Sequence, residues 1–188
     1  MNATGVAILA NPHPCGHIVY PYTDEAHVAE ALCLYTTAGL RNGESVILIM
    51  TSAHCEPIRY RLRMAGFDPG VYERSGRLTC VKTEDMLAEL MVDGDLHEGR
   101  FKSIVDRMIS HARSRASNGK VRVFGEMVSQ LRFEDLEATA RLEELWNEAI
   151  NRHHVALLCT YVLTGPDDQV PEQLTSLHTH NIEREPEL

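Results

Sequence analysis

The chain has 188 residues, 44% of them apolar and 24% charged, which suits one soluble domain with a full core and is too short for two comfortable ones. Its formal charge of -9, with no Lys/Arg-rich face, disfavours contact with a nucleic-acid backbone, where affinity comes from neutralising phosphates. Cys15, Cys33, Cys55, Cys80 and Cys159 are scattered and never in CxxC spacing, which argues against a disulfide framework and a zinc ribbon and reads as reduced thiols.

Residues 1–16 lack a basic n-region, the apolar run 6–10 is too short for a signal peptide, and no stretch approaches bilayer-spanning length. A cytoplasmic protein that does not meet a membrane is expected. The same residues read as a loop-like leader, since Pro12 and Pro14 disfavour regular structure. His17–Tyr22, HIVYPY, is the first strand, ended or bent at Pro21. Thr23 is the expected N-cap of the next helix, with Asp24 and Glu25 in its first turn. Ala26, Ala29, Leu32, Leu34 and Ala38 carry that helix to Gly39.

Ser45–Met50, SVILIM, is apolar throughout, the mark of a central strand covered on both faces of a parallel sheet. A helix over 53–65 comes next, then a loop through Asp68, Pro69 and Gly70, a third strand over 77–81, and a helix from Thr83 to about Met91. Phe101, Ile104, Val105, Met108, Ile109 and Ala112 recur at helical spacing within 99–117. Residues 120–124 alternate as a short buried strand, 133–151 form a helix with Leu136, Ala140, Leu142, Leu145, Trp146 and Ala149 inward, and 155–161 form a last strand. Such alternation implies right-handed βαβ units: an α/β fold, three-layer αβα, with a mostly parallel sheet. The organisation expected is a leader at 1–16, a single α/β domain at 17–165, and a polar tail at 166–188 that is a linker or packs on the sheet edge, with one or two helical turns at 173–177.

Several residues are candidates for chemistry. The strand at 120–124 breaks at Gly125 into Glu126, and in an open α/β sheet the C-terminal strand ends form the rim where ligands bind; the same acid serves equally as a helix cap. His13, Cys15 and His17 alternate as HxCxH, ligand types that zinc or copper accepts, although Pro14 interrupts them. His54-Cys55 and His153-His154 are adjacent pairs whose side chains diverge. His178 and His180 share one face if extended, either solvated or turned into a pocket. The turn at 21–25 has no glycine and no Gly-Lys-Ser/Thr, so a Walker A loop is absent, as are GxGxxG and GxSxG.

As a set, the segments HIVYPY, AGLRNGESVILIM, LRMAGFD, VRVFGEMVSQL, LEELWNE and LLCTY resemble the MEDS domain, a sensory domain of methanogens and methylotrophs named after the regulator of dichloromethane metabolism. The likeness covers roughly residues 16–163, with LHTH in the tail as a further point of similarity. It implies a RecA- or KaiC-like fold that has lost its phosphate loop, and a role in sensing small organic molecules, including hydrocarbon derivatives. Relatives of this kind are joined to DNA-binding, PAS, histidine-kinase or anti-sigma-type ATPase modules. No such module stands in this sequence, so the signal is expected to pass to a separate partner of histidine-kinase, anti-sigma or regulator type, or through a homo-oligomer. The residues carried over are His17, Tyr20, Glu126, Cys159 and Tyr161, and the expected ligand site adds Tyr22, His178 and His180. His17 and Glu126 are expected to meet at one side of the sheet. The cofactor is left unknown, and a non-enzymatic role is expected. The alternatives are a degenerate RecA-like nucleotide binder without hydrolysis, and an enzyme using Glu126 and His17 as acid and base or Cys159 as nucleophile.

Overall fold

The computed structural model describes residues 1–165 and 167–182. Six strands, β1 (His17–Tyr22), β2 (Ser45–Met50), β3 (Leu78–Lys82), β6 (Val121–Gly125), β7 (Ala156–Val162) and β8 (His180–Asn181), form one sheet in the order β3-β2-β6-β7-β1-β8. Every pairing in it is parallel. A two-residue hairpin, β4 (Met91–Val92) with β5 (Asp95–Leu96), stands apart. The three-layer αβα arrangement expected from the alternation is therefore present.

Right-handed crossovers dictate which helix covers which face. From β1 the chain steps through β2 to β3 in one direction, and its helices α2 (Glu25–Arg41), α3 (Ser52–Met64) and α4 (Pro69–Arg74) share one face. It then returns through β6 and β7 toward β8, so α5 (Thr83–Leu90), α6 (Glu98–Arg115), α7 (Met127–Leu131), α8 (Leu136–His153) and α9 (Glu172–Thr175) cover the other. Strand residues alternate between the two cores accordingly. Ile18, Tyr20, Tyr22, Leu48, Phe124 and Leu158 pack under α2 and α3, whereas Val19, Ile49, Val123, Leu157, Cys159 and Tyr161 pack under α6 and α8. SVILIM is buried at all six positions, as a strand covered on both faces requires.

Several expectations need correction. The leader is not a loop: α1 (Ala3–Ala10) forms before the prolines, capped by Asn2, whose side chain accepts from Gly5 N at 2.8 Å. Buried Arg122 ties it down by donating to the carbonyls of Leu9 at 3.0 Å and Ala10 at 3.1 Å while pairing with Glu44. Gly39 makes room for that guanidinium, since a Cβ there would stand 2.9 Å from Arg122 Cδ. Pro21 does not end β1. Carbonyls of His17 and Val19 accept from Thr179 and Ile182 on the β8 side, so by alternation Pro21 also faces that side, beyond the end of β8, where no N–H is required.

The N-cap of α2 is Asp24 rather than Thr23. Asp68-Pro69-Gly70 is not a plain loop but the start of α4, with Asp68 as cap and Pro69 in the first turn. On α8 Leu142, Leu145, Trp146 and Ala149 are buried and Ala140 packs half-buried against the same core, whereas Leu136, at the first helical position, is exposed. The tail packs against the sheet: α9 buries Leu174, and β8 adds itself in parallel beside β1. Residues 166 and 183–188 of the expected tail lie outside the described residues. No helix among the described residues is long and apolar enough to cross a membrane.

Candidate functional site

Two polar clusters are built into this frame, one at each end of β1. The first lies in the interior beneath β1 and β7, against α8. Glu143 is wholly buried on the apolar face of α8. Its Oε1 accepts from the Tyr161 hydroxyl at 2.5 Å and lies 3.3 Å from His178 Nε2. Its Oε2 stands 3.2 Å from His17 Nε2 and 3.6 Å from Cys159 Sγ. His17 Nδ1 is 2.9 Å from Asn147 Oδ1, and the His17 and His178 rings sit 4.0 Å apart.

Burial alone would raise the Glu143 carboxyl, but the close approach of His17 and His178 outweighs it and holds the group well below the usual carboxylate range. Burial, then the Glu143 charge, pushes both the Cys159 thiol and the Tyr161 phenol far up. Burial and the neighbouring carboxylate thus favour the protonated form of the Cys159 thiol.

The second cluster lies at the C-terminal rim. Glu126, 1% exposed, comes directly after β6 and accepts from Thr51 N at 2.6 Å, at the start of α3. His54, one turn into α3, places Nδ1 2.5 Å from Glu126 Oε1 and turns Nε2 onto Glu25, in the first turn of α2. Ser52 N donates to Glu84 at 2.9 Å, so carboxylates satisfy two of the amides at the start of α3. The Tyr22 ring closes the floor 6.4 Å from His54. Hydrogen bonding to Glu126, opposed by burial and reinforced by Glu25, raises the His54 pKa to about 9, so this imidazole is a cation at neutral pH. Burial and then the Glu126 and Glu25 charges raise the Tyr22 phenol and keep it neutral.

The expected site residues are thus divided. His17, Cys159, Tyr161 and His178 meet around Glu143, and Glu126 and Tyr22 meet around His54. His17 and Glu126 do not meet: each has a different histidine or carboxylate partner at opposite ends of the sheet. Tyr20 points into the core under α2, away from both His17 and Cys159. His180, partly exposed on β8, has its Nδ1 2.9 Å from the Thr179 hydroxyl and is separated from His178. The HxCxH alternation does not assemble either. His13 is exposed, Cys15 Sγ lies 3.2 Å from His154 Nδ1, and His17 is inside.

Sequence reasoning missed Glu143 and Asn147, noted Glu25 only as a first-turn acid, and named His54 only as half of a divergent pair. Glu143 stands three residues before Trp146 and seven before Ile150, on the stripe that α8 buries; an acid on an apolar helical stripe was the available signal. The pairing of His54 had none, because its partners come from two other elements.

The fold and its two clusters define a parallel three-layer α/β domain with buried carboxylates matched to histidines, and with acids rather than glycines after its first strand. Residues 16–179 match MEDS, the MEthanogen/methylotroph, DcmR Sensory domain, and the chain belongs to that family. It is a sensory-type domain. No individual curated protein matches the chain.

Proposed function

We propose that the chain is a cytoplasmic sensory module for a small polar organic molecule, which binds at the rim beside His54 and signals through a partner protein or a second copy. The observation that carries this reading is the bridge in which cationic His54 joins a buried carboxylate, Glu126, to an exposed one, Glu25, whose side chain is 65% exposed. The inner half is fixed by the Thr51 amide. The outer half is replaceable: a ligand carboxylate or hydroxyl takes the His54 Nε2–H from Glu25 without unpairing any buried group. Release of Glu25 frees the first turn of α2, a change on the surface that a partner can read.

The nucleotide alternative draws no support from the same rim. Asp24 caps its own helix by accepting from Ala26 N at 2.7 Å, and Glu25 is the next residue, so negative charge occupies the helix start that a phosphate would need.

A thermal-shift screen of small organic acids and alcohols, with ATP and GTP alongside, tests the reading. A stabilising shift from a small organic compound, lost in His54→Gln and enlarged in Glu25→Gln where the competitor is gone, is expected. A shift with ATP or GTP and none with the small organics would sink it.

A further inference from the structure

Four side chains of the interior cluster aim their ligand atoms at one another, and their outer hydrogen bonds fix which atoms those are. Asn147 Nδ2 donates to the Leu177 carbonyl at 3.0 Å, which leaves Oδ1 facing His17 Nδ1 at 2.9 Å. His17 Nδ1 must therefore carry the proton. His178 Nδ1 lies 2.9 Å from the Leu174 carbonyl, an acceptor only, so it too is the protonated nitrogen. In neutral rings both Nε2 lone pairs then point inward, at a carboxylate and a sulfur. His178 Nε2 is fully buried and has no properly aligned hydrogen-bond partner.

Protonating one ring pairs it with Glu143 but leaves the other Nε2 with at most the weak Cys159 thiol as donor, and protonating both is worse. Two imidazolium rings 4.0 Å apart would face the one Glu143 carboxylate, leaving a net buried positive charge. A divalent ion does relieve it: two positive charges against one carboxylate and one thiolate bury no net charge, with both imidazoles neutral.

We propose that His17, Glu143, Cys159 and His178 form a closed tetrahedral site for a divalent transition-metal ion, with zinc the best match. Ligand atoms held at zinc–nitrogen, zinc–oxygen and zinc–sulfur bond lengths stand about 3.3–3.7 Å apart at tetrahedral angles. The separations here are 3.4 Å from His17 Nε2 to Cys159 Sγ, 3.2 Å from His17 Nε2 to Glu143 Oε2, 3.6 Å from Cys159 Sγ to Glu143 Oε2, and 3.3 Å from His178 Nε2 to Glu143 Oε1. All four ligand atoms lie within 4.8 Å of one another. Mixed nitrogen, oxygen and sulfur donors suit zinc, which accepts all three types in a tetrahedral site.

Binding releases one proton, that of the Cys159 thiol, to solvent, and involves no redox step. The outer shell is already in place: Tyr161 donates to the carboxylate, while Asn147 and the Leu174 carbonyl orient the two imidazoles. Four protein ligands leave no open position, so the ion is structural rather than catalytic. Its ligands come from β1, α8, β7 and the segment after α9, and it therefore clasps the tail to the sheet. This inference uses none of the rim residues and stands or falls apart from the sensory reading.

The test is metal analysis of the purified protein, then removal of metal with a chelator and titration with Co²⁺. One equivalent of bound metal is expected, with the intense visible bands of tetrahedral cobalt and a near-ultraviolet thiolate-to-cobalt transition. Cys159→Ser abolishes the thiolate transition, Cys80→Ser on β3 retains it, and His178→Gln weakens cobalt binding by roughly tenfold or more. Stripping the metal speeds proteolytic cleavage within residues 167–182 in the wild-type protein, a readout independent of whether Cys159→Ser folds. Folded wild-type protein that takes up no cobalt, or a thiolate transition that survives in Cys159→Ser, overturns the assignment.

Discussion

Replacing His54 with glutamine separates the charge of the rim bridge from its shape. Glutamine keeps a donor for Glu126 but does not titrate. In the wild type, the contacts with Glu126 and Glu25 raise His54 from 6.5 to about 9. A raised pKa means the folded chain keeps a proton that the unfolded chain releases. The stabilisation is therefore complete below about pH 6.5 and is lost as pH rises through about 9. At about 1.4 kcal/mol per pH unit the full shift corresponds to about 3 kcal/mol. Glu25 is mostly exposed and its share is screened by solvent, which lowers the expected figure to about 2 kcal/mol.

Urea denaturation of both proteins from about pH 6 to about pH 9.5, under reducing conditions, reads this directly. The stability difference between wild type and His54→Gln is expected to shrink by about 2 kcal/mol across that range, the other titrating groups cancelling in the difference. A difference that stays constant, or grows with pH, would refute the charged bridge and with it the replaceable Glu25.

The packing gives three further expected outcomes. Arg122→Met leaves Glu44 without its buried partner and strips donors from the Leu9, Ala10 and Tyr35 carbonyls; a loss of about 3–5 kcal/mol is expected by urea denaturation, with hydrogen exchange in α1 rising first. Trp146→Ala empties the core under α8, where the indole meets Phe101 edge-on at 5.1 Å, and should cost about 3–5 kcal/mol, measured the same way. Asp135→Ala removes the cap that accepts from Ala138 N at 2.9 Å, and a loss of about 1 kcal/mol with unchanged spectroscopic signature is expected.

How much of this was legible in the sequence depends on whether a signal is local. SVILIM reads as a buried strand because covering both faces leaves an apolar run that needs no context, and 120–124 reads as one from its alternation and β-branched residues. The strand β8 has only two residues, too few for any period, and exists because β1 offers it an open edge. The leader helix was hidden by its own punctuation: Pro12 and Pro14 stop it, but Asn2 starts it ten residues earlier than the first of them. Asp68-Pro69-Gly70 carries turn chemistry and helix-start chemistry in the same residues, and the helical run from Val71 to Arg74 decides between the two.

The candidate site was legible by parts and misassembled as a whole, for a reason the strand period supplies. His17 and Tyr20 are three apart on one strand and so take opposite faces, whereas Cys159 and Tyr161 are two apart and share one. The same rule separates Tyr22 from His17 and leaves it at the far end of β1, beside Glu126. What joins each cluster is long-range: α8 brings Glu143 to His17, and α3 brings His54 to Glu126. Both are buried carboxylates matched to a histidine from another element, yet they are not equivalent. Glu143 and its partners are shut off from water on every side, so exchange of any one exposes an unpaired buried group and the cluster can only be held or opened as a unit. The rim bridge has one arm in solvent, and exchanging Glu25 for another anion costs little. A cluster of the first kind suits an ion that stays, and one of the second kind suits a ligand that comes and goes.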